Sequence, residues 1–141
     1  MPKEKSVGAV VFRQQDNEQL FLLLHYDAGH WDFPKGHMEQ NETEQQTLLR
    51  EVQEETGITN VELVSGFKQQ TSYFFMREGQ TIFKEVVFYL LETREQEIKL
   101  SSEHKGFQWL PFEQAAKKIT FKNSRNVLLK AKQFLQQGSL K

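Results

Sequence analysis

The segment GHMEQNETEQQTLLREVQEETGI, residues 36 to 58, admits few structures other than a capped amphipathic helix docked on an apolar surface. Asn41 suits an N-cap, with Glu44 three residues on as in a capping box. Gly57 suits the left-handed position that ends a helix. The spacing predicts a helix from about Glu42 to Thr56. Leu48, Leu49 and Val52 then form a narrow apolar face. Glu51, Glu54 and Glu55 follow i, i+3, i+4 spacing and share the adjoining face, with Glu44 on it two turns earlier. The segment holds six glutamates, and its only fixed positive charge is Arg50, although the whole chain carries a net charge of −1. Like charges at this spacing cost a few tenths of a kcal/mol per pair. Either a solvated face tolerates that repulsion, or a divalent cation cancels it. Oxygen ligands without His or Cys suit Mg²⁺ or Mn²⁺ better than zinc.

Elsewhere the chain alternates β-rich runs with amphipathic ones. Val7 to Phe12 and Leu20 to Tyr26 read as two strands, plausibly a hairpin around RQQDNEQ. Val61 to Phe67, Gln70 to Phe75 and Phe107 to Leu110 read as further strands, and TIFKEVVFYLLE (81 to 92) carries the strongest β signal. Pro34 argues against an ordinary central strand in DAGHWDFPK. Pro111 to Ile119 reads as a short helix. Ser124 to Gln137 reads as a longer one, with Val127, Leu128, Ala131, Phe134 and Leu135 on one stripe. This order predicts an α+β fold, a mixed β-sheet packed by helices, rather than a regular βαβ series. A chain of 141 residues fits one domain (1–141) and can bury roughly two thirds of its unfolded surface.

The chain has no cysteine, which removes disulfides, thiolate metal sites and a cysteine nucleophile together. The apolar run near the N-terminus is too short for a membrane span and no signal-peptide pattern follows it, so a cytoplasmic protein without membrane contact is expected. A pI of about 6.4 gives no reason to expect stable nucleic-acid binding. The sequence is silent between a monomer and a homodimer.

The spacing Gly36, five residues, Glu42, seven residues, then Arg50-Glu51-Val52-Gln53-Glu54-Glu55-Thr56-Gly57-Ile58 matches G-x5-E-x7-R-E-U-x-E-E-x-G-U, with U aliphatic, at all nine defined positions. On this match the chain resembles a Nudix hydrolase. The flanks HWDFPKGH and LSSEHKGFQWLPFEQA resemble those of the asymmetrically cleaving diadenosine tetraphosphate hydrolases, bis(5′-nucleosyl)-tetraphosphatases of that superfamily. RNA 5′-pyrophosphohydrolases share parts of these flanks.

The resemblance implies a mixed sheet sandwiched between helices, with residues 36–58 as a loop-helix-loop. It also implies Mg²⁺- or Mn²⁺-dependent attack of water on phosphorus in a nucleoside polyphosphate, most simply cleavage of diadenosine tetraphosphate to ATP and AMP. The alternatives are an RNA 5′-triphosphate end, an oxidised dNTP or a nucleotide sugar. By the same resemblance Glu54 and Glu55 are the main metal ligands, Glu51 is a ligand or the base, and the backbone carbonyl near Lys35 and Gly36 adds a ligand. Arg50 orients a glutamate of the segment, and Glu42 supports it or takes a secondary metal. Glu103 matches an extra carboxylate that reaches the metals from a loop; the choice of base among Glu51, Glu54 and Glu103 stays open. Lys35 and Lys84 match phosphate-binding positions, and His37 lies near phosphate. Tyr73 and Phe121 match a pair that sandwiches a base, and His30 and Trp31 could line the same cleft. His104 is either a substrate contact or a structural loop histidine. A nucleotide-sensing module that does not hydrolyse would typically lack some of these glutamates, and here all are present.

Overall fold

The computed structural model describes residues 1–139. In chain order the elements are β1 (Lys3–Gln15), β2 (Glu18–Tyr26), β3 (Trp31–Asp32), β4 (Lys35–His37), α1 (Glu44–Thr56), β5 (Val61–Leu63), β6 (Gln69–Arg77), β7 (Gln80–Thr93), β8 (His104–Pro111), α2 (Phe112–Lys118) and α3 (Lys122–Ser139). β1 and β2 form the expected hairpin, in register from Phe12 opposite Phe21 to Gln15 opposite Glu18. β7 runs parallel to β1 from Lys3 beside Phe83 to Phe12 beside Glu92, which makes the sheet mixed. β8 extends it beyond β2, while β5 and β6 both pair with β7.

Alternation along β1 builds a core on each side of the sheet, because successive side chains of a strand point to opposite faces. Val7, Ala9 and Val11 join Leu22, Leu24 and Leu91 under Leu48 and Val52 of α1. Val10 and Phe12 join Phe21, Leu23, Phe88 and Leu90 under Ala115 of α2 and Val127, Leu128 and Ala131 of α3. The sheet is therefore sandwiched between α1 on one face and α2 with α3 on the other.

Several boundaries differ from the sequence expectation. The N-cap of α1 is Thr43, not Asn41: its hydroxyl accepts from the Gln46 amide at 3.1 Å, and the Gln46 side chain accepts from the Thr43 amide at 2.9 Å. Asn41 instead turns the chain at φ 70°, and Glu42 stays outside the helix. Leu49 does not dock on the sheet; it is 50% exposed. The buried stripe is Thr47, Leu48, Val52, Glu55 and Thr56, so a carboxylate lies on the docking face itself. Glu44 does not share the glutamate face either. It pairs with Lys5 at 2.7 Å and Lys68 at 3.1 Å and accepts from the Tyr89 hydroxyl. The strand expected over 61 to 67 stops at Leu63, where Gly66 takes φ 94° and Phe67 turns into the core. Two short strands, β3 and β4, flank Pro34 and pair with β2 and β1. Gly57, at φ 77°, ends α1 as expected. Among the described residues no helix is long and apolar enough to cross a membrane.

Candidate active site

Arg50 organises the acidic residues. Its Nε and Nη2 donate to the two oxygens of Glu42 at 2.7 and 2.9 Å. Its Nη1 donates to Glu51 at 2.7 Å and to Glu54 at 3.3 Å, and Nη2 also donates to the His37 carbonyl at 3.0 Å. The planar guanidinium suits this fork geometry as an ammonium would not. Glu42 further accepts from the Thr47 hydroxyl at 2.8 Å and the Glu39 amide at 2.9 Å. The Arg50 hydrogen bond, with these others, holds its carboxyl down at about 2. Both of its oxygens are committed to anchoring Arg50 and the turn before α1.

The three glutamates at i, i+3, i+4 sit in different surroundings. Glu54 is exposed. Glu51 is half-buried, and burial raises its pKa against the opposing pull of Arg50. Its carboxyl lies against Gly36: a Cβ there would stand 1.9 Å from the Glu51 carboxyl carbon. Only glycine permits this approach. Glu55 is 4% exposed, and neither of its oxygens has a hydrogen bond of good geometry. Burial first, then the Glu51 charge, pushes its carboxyl up to about 9, with Glu103 adding to the effect. Orphaned buried oxygens are rare in folded proteins, and a buried carboxylate is costly unless paired. His104 Nε2 lies 3.1 Å from Glu55 Oε1, and the Lys35 backbone amide pulls the pKa of the same carboxyl the other way.

Glu103 lies in the loop before β8. Its carbonyl accepts from the Asp27 amide at 2.9 Å, its side chain is exposed, and its charge reaches both Glu51 and Glu55. Among the described residues no three carboxylates or imidazoles converge as a set of metal ligands; Arg50 engages both Glu51 and Glu54. The donor set is nonetheless oxygen-rich and short of positive charge, and Gly36 leaves room against Glu51. These features fit a hard divalent cation.

Beside the carboxylates lies a cleft of ≈350 Å³, bordered by Tyr73, Phe121, Val86, Phe88, Asp32 and Lys35 among others. Tyr73 and Phe121 are 39% and 46% exposed, large rings left at the surface rather than packed in the core. Lys35 joins the two halves. Its side chain borders the cleft, while Gly36, the next residue of β4, faces Glu51. Asp32 was not foreseen. It is fully buried, accepts from the Phe33 amide at 2.8 Å, and pairs with Lys35 Nζ at 3.2 Å. Its placement three residues before Lys35 was the available sequence signal. A larger hollow of ≈600 Å³, by the β1–β2 turn and α2, contains none of these groups.

The remaining candidates take different positions. Lys84 lies opposite Tyr73 in the β6–β7 ladder, but its ammonium is buried 3.5 Å from Glu4; burial lowers its pKa, against the pull of Glu4. His37 is lowered by burial and then by Lys84. His30 stacks on Tyr26 at 4.5 Å and approaches Phe121 at 5.2 Å, so it flanks the Phe121 side of the cleft. Trp31 stacks on His25, is capped by the Lys118 ammonium, and packs on the core, a structural position. His104 is buried against Glu55 rather than open to the cleft.

A mixed sheet carrying a glutamate-rich helix at its rim, beside a cleft with two exposed aromatic rings, is the arrangement to set against known hydrolases. A model of the NUDIX domain matches residues 2–131, and the chain belongs to the NUDIX family, as a hydrolase of nucleoside polyphosphates. It is 35% identical to a Sus scrofa bis(5′-nucleosyl)-tetraphosphatase (asymmetrical), over 93% of this chain and 95% of that one. A Caenorhabditis elegans protein of the same description is 31% identical, over 93% and 96%. The crystal structure of a C. elegans Ap4A hydrolase binary complex superposes with a TM-score of 0.80 at 28% identity, covering 95% of this chain and 98% of that one.

Proposed function

We propose that the chain hydrolyses diadenosine tetraphosphate asymmetrically, to ATP and AMP, with Mg²⁺ or Mn²⁺. The observation that carries this reading is β4, which puts Lys35 on the aromatic cleft and Gly36 on Glu51, so base-binding and carboxylate halves adjoin. The similarity to tetraphosphatases over nearly the whole chain supports it.

Tyr73 and Phe121 stack a base between them, since an adenine offers a flat π face. Lys35, with Lys84 and His37 behind it, meets the polyphosphate. Glu51, Glu54, Glu55 and Glu103, with the Gly36 carbonyl, would hold the ion. When bound, such an ion would supply charge against phosphate oxygens and lower the pKa of water. Arg50, fixed by Glu42 and the His37 carbonyl, keeps Glu51 in place. One of Glu51, Glu54 or Glu103 accepts the proton of the water. The water oxygen bonds to an outer phosphorus, the bridging P–O bond breaks, ATP leaves, and AMP carries the new oxygen. Positioned charge supplies most of what such a displacement needs.

The test is a substrate panel with Mg²⁺ in H₂¹⁸O. Label in AMP, with unlabelled ATP, is the expected result. Two ADP molecules would overturn the asymmetric cleavage, and faster turnover of an RNA 5′-triphosphate end, an oxidised dNTP or a nucleotide sugar would overturn the substrate. Glu54→Gln should lower turnover by orders of magnitude while leaving the far-ultraviolet circular dichroism unchanged, and near-normal turnover would sink its assignment as a ligand.

A further inference from the structure

The loop before β8 must present Glu103 to α1, and the contacts that fix it converge on His104. The His104 amide donates to the Ser101 carbonyl at 3.2 Å, closing a tight turn. Ser101 Oγ lies 3.0 Å from His104 Nδ1 and accepts from the Glu103 amide at 3.4 Å. The His104 ring stands edge-on to Tyr26 at 4.4 Å, and the Tyr26 hydroxyl is tied to the Phe33 carbonyl at 2.6 Å. The ring is thus clamped on one side with Nε2 toward Glu55 Oε1 at 3.1 Å. Nε2 and both Glu55 oxygens are buried without a well-aligned partner. At that separation a small swing of either side chain makes the bond.

An ionised carboxylate oxygen only accepts, so with Glu55 ionised the contact is attractive only if Nε2 carries the proton. Ser101 makes that tautomer available. Its oxygen already accepts from the Glu103 amide, which leaves its hydroxyl proton to donate to Nδ1. With the proton on Nε2, the donor sequence would run from the Glu103 amide to Ser101, from Ser101 to His104, and from His104 to Glu55.

We propose that His104 is a positioning residue, which donates from Nε2 to one oxygen of Glu55 and thereby locks the Glu103 loop to α1. It rests on the reading of Glu55 and Glu103 as ion-holding carboxylates. Partners that orient a ligand in this way are commonly worth about 10- to 100-fold in metal affinity.

The test compares three variants by Mn²⁺ affinity, read by electron paramagnetic resonance without substrate. His104→Gln places an amide donor where Nε2 stands, His104→Asn places it where Nδ1 stands, and His104→Phe keeps the ring against Tyr26 but removes both nitrogens. Asn and Phe should weaken Mn²⁺ binding at least about tenfold, while Gln should restore it to near the wild-type value. Equal affinity in all three, or equal loss in all three, would overturn the proposal. The Asn and Gln pair decides it if the Phe variant does not fold. In the Mg²⁺-loaded wild type, ¹⁵N NMR should find the His104 proton on Nε2; a proton on Nδ1 alone would also overturn it. A wild-type chain that binds no Mn²⁺ would instead bring down the ion-holding reading, and this inference with it.

Discussion

Glu55 is buried on the docking face of α1, with its carboxyl pushed up to about 9 by burial and by Glu51. In the unfolded chain the same group ionises near 4.5. Below that pH both states are protonated and Glu55 does not oppose folding. As pH rises above it, the unfolded chain gains from ionising while the metal-free fold does not, so stability falls progressively toward pH 9. At pH 7 the penalty is about 3 kcal/mol as an upper bound. Glu55→Gln should therefore melt higher than wild type at pH 8 in chelator-treated buffer and show little difference at pH 4. Equal melting differences at both pH values would contradict this. Mn²⁺ should raise the wild-type Tm, by binding only the folded state, and raise that of the variant less. Gly36 makes an opposite point by steric means. Gly36→Ala places a methyl 1.9 Å from the Glu51 carboxyl carbon, so Glu51 must move. Turnover should drop more than tenfold with the fold retained by circular dichroism; unchanged turnover would show that the Glu51 position is not critical.

The ends of α1 show how far local sequence reaches. Gly57 was legible because its left-handed conformation excludes other side chains at little cost to glycine. The N-terminus was not, because Asn41 and Thr43 are both good caps and the choice depends on Arg50. That guanidinium takes both oxygens of Glu42 and keeps residue 42 in the turn, so the helix begins after Thr43. Leu49 was misjudged for a related reason. The helix is rotated to turn Glu55 inward, and Leu49 is turned out. An inward carboxylate breaks the apolar pattern that helix-face reasoning reads, which is what a site under functional demand does. The strands β1, β2 and β7 and the stripe of α3 were legible because burial and periodicity agree along them. The two short strands around Pro34 were not, since their pairing is set by β1 and β2 rather than by their own residues. The cap gives a test at this scale. Thr43→Ala should cost about 1 kcal/mol in urea unfolding, and Asn41→Gly, which keeps the left-handed turn while removing the side chain, should cost less. The reverse order would restore Asn41 as the cap.

Across the whole molecule, the sheet separates two kinds of work. α1 packs on one face with the carboxylates at its rim; the aromatic cleft and α3 lie on the other. The backbone alternation of β4 is the bridge, with Lys35 toward the aromatic cleft and Gly36 toward Glu51. Binding of the base and chemistry at phosphorus should therefore separate in kinetics, in proportion to what each half touches. Stacking a base on an aromatic side chain is worth about 1–3 kcal/mol, or roughly 5- to 150-fold in affinity at about 1.4 kcal/mol per tenfold. Tyr73→Ala and Phe121→Ala should each raise KM for diadenosine tetraphosphate within that range, and leave KM for inorganic polyphosphate nearly unchanged. Lys35→Met should raise both, since the phosphate contact proposed for Lys35 does not depend on an attached base. Equal effects of Tyr73→Ala on the two substrates would remove the base from the cleft. The two rings would then be surface aromatics, and the specificity of the enzyme would have to come from the phosphate chain alone.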